Sequence, residues 1–114
     1  MTSLRTGREI GILALIPARG GSKSIPRKNI YPVAGKPLIA HSILQATESK
    51  YITRVIVSTD DEEIADVSRK WGAEVPFMRP AEFSQDQSLD IEVFEHALRW
   101  LKENDNYQPD LLVH

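Results

Sequence analysis

Four cations lie close together near the start of the chain, at Arg19, Lys23, Arg27 and Lys28. Glycines and serines stand among them, and no acidic residue does. A glycine-bearing loop can bring backbone N–H groups close to an anion, and the cations can neutralise several phosphate charges. We call residues 18–29 the basic loop, and its composition predicts a site for the polyphosphate of a nucleoside triphosphate.

The glycine spacing of the basic loop differs from that of two common phosphate-binding loops. The Gly-x-Gly-x-x-Gly pattern of dinucleotide sites is missing, and Gly20 and Gly21 are not followed by the Gly-Lys-Ser/Thr of a Walker loop. A cationic loop alone is more often a solvated surface than a phosphate site. The order of residues in the loop therefore has to decide between the two interpretations.

Short motifs follow the apolar run 12–16 in a definite order: Pro17-Ala18-Arg19, Gly21-Ser22-Lys23, Ile25-Pro26 and Lys28-Asn29. Later in the chain stand Gly35-Lys36-Pro37-Leu38, Val57-Ser58-Thr59-Asp60 and Arg79-Pro80-Ala81-Glu82, followed by Asp86 and Ser88. In this order the motifs resemble the acylneuraminate cytidylyltransferases, the enzymes that make CMP-sialic acid and its relatives. The resemblance covers nearly all of residues 12–114.

The resemblance implies a CTP site with two parts. The triphosphate would be held by Ala18, Arg19, Gly20, Gly21, Ser22, Lys23, Lys28 and Asn29. Among these, Arg19, Lys23 and Lys28 would have the catalytic role of stabilising negative charge at the α-phosphorus and on the departing pyrophosphate. The cytidine would lie against Arg79, Asp86 and Ser88.

The reaction implied is attack by the anomeric hydroxyl of a nonulosonic acid, a nine-carbon 2-keto acid sugar, on the α-phosphorus of CTP. The products would be a CMP-sugar and pyrophosphate. Mg²⁺ is the implied cofactor, since it bridges phosphate oxygens and neutralises their charge. Its carboxylate ligands and most of the sugar pocket are expected beyond residue 114, so no metal ligand is assigned in this chain. A homodimer is expected for the full-length protein.

Two alternatives to a nonulosonate-activating enzyme stay open. One is the related cytidylyltransferase that activates the eight-carbon sugar KDO. The other is a non-catalytic module whose basic loop binds a nucleotide for regulation. Which nonulosonic acid an enzyme of this kind would use is not encoded in these residues.

Composition excludes several other classes of protein. The 114-residue chain has a net charge of −2, which argues against a general nucleic-acid binder. It has no cysteine, which excludes disulfides and thiolate sites. No apolar stretch approaches the roughly 18 residues needed to span a membrane. We therefore expect a cytoplasmic chain with a flexible tail at 1–10 and one domain part at 11–114.

Apolar runs alternate with helical periodicities along the chain. Strands are predicted at 11–17, 53–58, 73–78 and 111–113, and helices begin at Pro37, within 59–63 and after a loop at 79–90. The predicted buried stripes are Leu38, Ile39, Ser42, Ile43 and Ala46; Ile64, Ala65, Val67, Ser68 and Trp71; and Ile91, Phe94, Ala97, Leu98 and Leu101. Alternation of this kind predicts a Rossmann-like three-layer α/β/α fold with a mostly parallel sheet.

The last predicted strand has no following crossover helix, so we expect the chain to be the N-terminal part of a longer cytidylyltransferase domain, inactive by itself. Asp60 and Asp61 are interpreted as helix caps rather than metal ligands, because they stand where the second helix begins. His41 and His96 are expected to be ordinary helix residues. For Arg79-Pro80, a simple turn and a nucleotide contact are equally open.

Overall fold

The computed structural model describes residues 10–20, 30–80 and 90–113. In chain order the elements are β1 (Ile12–Pro17), β2 (Pro32–Val33), β3 (Lys36–Pro37), α1 (Leu38–Thr47), β4 (Arg54–Ser58), α2 (Glu62–Lys70), α3 (Asp90–Asp105) and β5 (Leu111–Val113). The predicted alternation of strands and helices is confirmed except between α2 and α3, where the described residues 71–80 contain no strand. Of the predicted tail at 1–10, residues 1–9 lie outside the described residues.

The central sheet has the strand order β4-β1-β5, and both pairings are parallel. Along β1 and β4 the register places Leu13 opposite Arg54 and Pro17 opposite Ser58. Because parallel strands run in one direction, their carboxyl ends meet at one edge of the sheet. Pro17 and Ser58 mark that edge.

Helices cover both faces of the sheet, so the predicted three-layer arrangement is confirmed. On one face Ala14, Val55 and Val57 belong to a buried cluster that includes residues of α1 and α2. On the other face Leu13 and Leu15 belong to a second cluster that contains Ala97 and Leu101 of α3. A strand buried on both faces needs continuous apolar sequence, which explains the uninterrupted run at the start of the chain.

The predicted third strand at 73–78 is wrong. These residues, all of which the structure describes, contribute an isolated parallel bridge between Ile56 and Glu74 rather than a strand. Glu74 donates to the Val55 carbonyl at 2.9 Å and accepts from Val57 N at 2.9 Å. Pro76 follows two residues later and has no N–H to continue the ladder. Alternate side chains from Ala73 to Arg79 are nevertheless buried, as in a strand.

Two details of the helices also differ from prediction. The buried stripe of α3 runs through Val93, Ala97 and Leu101, whereas Ile91 is 58% exposed. Leu38 and Ser42 of α1 are likewise exposed. Spacings of four residues on α3 therefore define its buried side, and Ile91 lies off that line.

A short antiparallel hairpin, β2–β3, precedes α1 and was not predicted. Ala34 and Gly35 form its turn with φ values of 51° and 84°. Two consecutive positive φ angles are typical of a type I′ hairpin turn. Among the described residues, no helix has the length and apolar character needed to cross a membrane.

Candidate functional site

Four of the predicted site residues lie in the described part of the chain: Ala18, Arg19, Gly20 and Arg79. The other seven, Gly21, Ser22, Lys23, Lys28, Asn29, Asp86 and Ser88, lie outside the described residues. The described four come from two segments separated by about sixty positions in sequence. Both segments contact the carboxyl end of β4, and this shared contact is what brings them together.

The basic loop leaves β1 while still attached to β4. Ala18 is buried, and its backbone N–H donates to the Ser58 carbonyl at 2.9 Å. Arg19 follows Ala18 and is partly buried. The first residues of the basic loop are therefore held by the sheet, at the edge where ligands of open parallel sheets bind.

Gly20 is in close contact with the start of α2. Its N–H donates to Asp60 Oδ1 at 2.9 Å. A Cβ added to Gly20 would lie 2.6 Å from Asp61 Oδ2 and 2.8 Å from Asp61 Cβ, closer than real Cβ contacts. Glycine at this position is thus explained by the approach of Asp61.

Asp61 is the N-cap of α2, as the sequence predicted. Its Oδ1 accepts from Glu63 N at 2.8 Å and from Ile64 N at 3.0 Å. These bonds satisfy two of the N–H groups that the first turn of a helix leaves without an intrahelical partner. Asp61 N in turn donates to Oγ1 of Thr59, which is fully buried.

Arg79 is buried beneath this edge, with 6% of its surface exposed. Its Nε donates to Ser58 Oγ at 3.1 Å, and its Nη2 donates to the Ser58 carbonyl at 2.7 Å. Its backbone N–H donates to the Thr59 carbonyl at 2.8 Å. The segment therefore does more than turn: Arg79 anchors the end of β4. Its contact with cytidine stays a prediction.

Sequence reasoning missed two members of this arrangement. Ser58 joins Ala18 and Arg79, and Asp60 binds Gly20 rather than capping α2. The position of both residues at the end of an apolar strand was the available signal. This signal was not sufficient, because the order of the strands in the sheet decides which strand ends lie side by side.

The described residues also contain a groove of about 480 Å³ along β1 on the side of α1. Its lining is mostly apolar and includes Ala14, Ile16, Ala46 and Val113. None of the four described site residues lines it, so the groove is not assigned to the nucleotide. Within residues 10–20, 30–80 and 90–113, no three His, Cys, Asp or Glu side chains form a group that could hold a metal ion.

Residues 13–105 match the family model described as Cytidylyltransferase. The chain belongs to the cytidylyltransferase family. It is 48% identical over 90 residues to a pseudaminic acid cytidylyltransferase of Campylobacter jejuni, covering 79% of this chain and 39% of that protein. It is 51% identical over 77 residues to a CMP-N,N'-diacetyllegionaminic acid synthase of Legionella pneumophila, covering 68% of this chain and 33% of that protein.

A vertebrate member of the cytidylyltransferase family is also similar. The N-acylneuraminate cytidylyltransferase A of Danio rerio is 46% identical over 104 residues, which are 91% of this chain and 24% of that protein. The chain therefore spans less than two fifths of the length of these relatives. The predicted family resemblance is confirmed over most of the chain.

A solved structure has the same fold. The structure of a CMP:2-keto-3-deoxy-manno-octonic acid synthetase complexed with CTP superposes with a TM-score of 0.71 and 22% sequence identity. The superposition covers 90% of this chain and 38% of that chain. At this identity the similarity establishes the fold alone.

Proposed function

We propose that this chain is the nucleotide-binding part of a CTP-dependent enzyme that activates a nonulosonic acid to its CMP-sugar. The single observation that carries the proposal is the attachment of the basic loop to the carboxyl edge of the sheet. Ala18 and Gly20 are held there by Ser58 and Asp60, and Arg19 lies between them. This is the edge at which open parallel sheets bind their ligands.

The proposed chemistry is phosphoryl transfer. The anomeric oxygen of the sugar forms a bond to the α-phosphorus of CTP, and the bond between that phosphorus and the bridging oxygen of the β-phosphate breaks. Pyrophosphate departs with the electron pair, and the proton of the sugar hydroxyl is released. Arg19, with Lys23 and Lys28 of the basic loop, would stabilise the charge that develops on the phosphate oxygens.

The names of the relatives support the choice of a nonulosonic acid as substrate class. Four relatives at 45–51% identity are named for pseudaminic or legionaminic acid, and one at 46% identity is named for N-acylneuraminate. The eight-carbon sugar appears in the name of a structure that is only 22% identical. We therefore place KDO second.

Mg²⁺, a homodimer and a cytoplasmic location complete the proposal for a full-length protein, and they rest on the family resemblance. The described contacts of Asp60 and Asp61 are to backbone N–H groups, and no three His, Cys, Asp or Glu side chains of the described residues form a group that could hold a metal ion. Metal ligands are accordingly proposed outside the described residues. Activity measured against Mg²⁺ concentration would test the metal requirement, and sedimentation of a full-length protein would test the homodimer.

Isothermal titration of the chain with CTP, ATP and GTP tests nucleotide binding directly. We expect CTP to bind with the highest affinity, and Arg19→Ala to weaken that binding by about tenfold or more, since a charge-assisted contact with phosphate is lost. Arg99→Ala, which removes the same charge from an exposed position on α3, is the matched control. Unchanged CTP affinity in Arg19→Ala would contradict the assignment of the basic loop.

The chain by itself is expected to bind CTP without forming CMP-sugar, because it spans less than two fifths of its enzymatic relatives. Incubation with CTP, Mg²⁺ and pseudaminic, legionaminic or sialic acid, followed by measurement of pyrophosphate, checks this expectation. Pyrophosphate release above the level of the Arg19→Ala variant would show that the chain carries a complete active site.

A further inference from the structure

Gly20 is constrained by two neighbouring carboxylate residues in different ways. Asp60 accepts a hydrogen bond from its N–H at 2.9 Å, and the side chain of Asp61 lies so close to its Cα that a Cβ would be 2.6 Å from Oδ2. The hydrogen bond fixes the orientation of the Gly20 N–H, and the steric contact limits the distance between Gly20 Cα and Asp61. We call this pair of contacts the Gly20 clamp.

The Gly20 clamp is itself held firmly by buried structure. Asp61 caps α2 and its N–H donates to Thr59 Oγ1. Thr59 is fully buried, and its carbonyl accepts from Arg79 N at 2.8 Å. Both carboxylate residues therefore follow the buried end of β4, so they can impose a position on Gly20.

Electrostatics alone would argue against carboxylates at this place. A negative charge beside a phosphate site repels the ligand, and the repulsion grows as the local dielectric falls. The charge of Asp61 is offset by the N–H groups and the positive end of α2. Asp60 is exposed, and its described contact is the Gly20 N–H. Any favourable effect of Asp60 on an anion site must therefore come from the hydrogen bond that its Oδ1 accepts from Gly20 N, because its charge would repel the anion.

We propose that Asp60 is a positioning residue that aligns Arg19 for the triphosphate by holding the N–H of Gly20. The peptide unit between Arg19 and Gly20 is planar, so a hydrogen bond at Gly20 N also sets the direction of the Arg19 carbonyl. The proposal rests on the proposed function, because it assumes that the basic loop binds CTP.

Two substitutions at Asp60 separate position from charge. Asp60→Asn keeps an oxygen acceptor and removes the charge, whereas Asp60→Ala removes both. Removal of a negative charge beside an anion site would by itself tighten CTP binding. We expect Asp60→Ala instead to weaken CTP affinity by about fivefold to tenfold and Asp60→Asn to stay within about twofold of the unsubstituted chain or to bind more tightly.

A second measurement observes the Gly20 clamp without any ligand. Amide hydrogen exchange at Gly20, followed by NMR, should become about tenfold faster in Asp60→Ala and stay nearly unchanged in Asp60→Asn. The matched control is Asp66→Ala, which removes the same charge from an exposed site on α2 and should change neither exchange nor CTP affinity. Urea unfolding of each variant confirms that the fold is retained.

Three outcomes would overturn the inference. Tighter CTP binding in both Asp60 variants would show that Asp60 affects CTP affinity through its charge alone. Equal weakening in both would show that the oxygen acceptor kept in Asp60→Asn does not restore CTP affinity. An unchanged rate of amide hydrogen exchange at Gly20 in Asp60→Ala would show that Asp60 does not hold Gly20. That result would leave the proposed function intact. Failure of the unsubstituted chain to bind CTP would instead overturn the proposed function, and the role of Asp60 in binding with it.

Discussion

At the amino end of the sheet a cation is held by carboxylates, whereas at the carboxyl end two carboxylates contact backbone N–H groups. Arg54 begins β4 and donates to Glu74 through Nε and Nη2, both at 2.9 Å, and to Asp105 through Nη2 at 2.7 Å. Its guanidinium also lies 4.7 Å from the centre of the Tyr107 ring. At the opposite end, Asp60 binds Gly20 N and Asp61 binds two N–H groups of α2.

The contacts at the amino end join elements of the fold to one another, whereas Asp60 at the carboxyl end holds Gly20 of the basic loop. The hydrogen bonds that Arg54 donates to Glu74 raise the pKa of Arg54 above its ordinary value, against the opposing effect of partial burial. These contacts tie β4 to the segment after α2 and to the last turn of α3. At the carboxyl end, hydrogen bonds to the backbone hold Ala18 and Gly20, the first residues of the basic loop. We therefore expect substitutions at the amino end to affect stability and those at the carboxyl end to affect nucleotide binding as well.

The largest effect on stability is expected from Arg79→Met. Ser58 would lose two hydrogen bonds in a buried setting, so the free energy of unfolding should fall by about 2–4 kcal/mol. Urea denaturation measures this change, with the exposed Arg99→Met as the control. A change as small as that of the control would mean that Arg79 does not anchor β4.

Gly20→Ala is the next largest change. The new Cβ would overlap Asp61, and relief of the overlap should cost about 1–3 kcal/mol of unfolding free energy. In an Asp61→Gly background the overlapping atoms are gone, so the cost should fall by at least about 1 kcal/mol.

An Asp66→Ala background provides the control for that comparison, because Asp66 is exposed on α2 away from Gly20. There the full cost of Gly20→Ala should be retained. Equal costs in all three backgrounds, measured by urea unfolding, would show that Asp61 is not the residue that requires glycine at position 20.

Arg54→Met tests the amino end. Glu74 and Asp105 are 46% and 36% exposed, so solvent screens their interaction and the expected loss is about 1 kcal/mol. CTP affinity, measured by titration, should stay within about twofold of the unsubstituted chain. If Arg54→Met kept its fold but clearly lost CTP affinity, the amino end of the sheet would affect nucleotide binding too, contrary to the expectation.

The smallest effect is expected from Asp105→Asn. One of the two carboxylates that hold Arg54 loses its charge, which should cost about 0.5 kcal/mol at low salt and almost nothing near 1 M salt. Thermal unfolding at the two salt concentrations measures the difference. An effect that does not depend on salt would show that Asp105 acts through packing or through a neutral hydrogen bond.

Much of the fold could be predicted from local pattern. The apolar runs of β1 and β4 and the periodicity of α1 and α2 required no tertiary information, and Asp61 was recognised as a helix cap by its position. The segment 73–78 shows the limit of such patterns. Its alternating burial is that of a strand, but Pro76 prevents the ladder from extending beyond a single bridge.

The residue types of the candidate site could be predicted from the sequence. The contacts that bring those residues together could not. Composition pointed to the basic loop, and the motif order pointed to Arg79. Neither could predict that Ser58 would contact both Ala18 and Arg79, or that Asp60 would turn from α2 toward Gly20. Such contacts join residues about 20 to 40 positions apart, so no local spacing contains them.

The sequence alone determined the chemistry that is available: a run of cations with glycines, the absence of cysteine, and apolar segments long enough for a covered parallel sheet. The tertiary structure decided which of those residues meet. Strand order placed the ends of β1 and β4 side by side, and that placement brought Gly20 within hydrogen-bonding distance of Asp60. The physical reason is that side-chain type is a property of each residue, whereas proximity depends on how the whole sheet is ordered and registered.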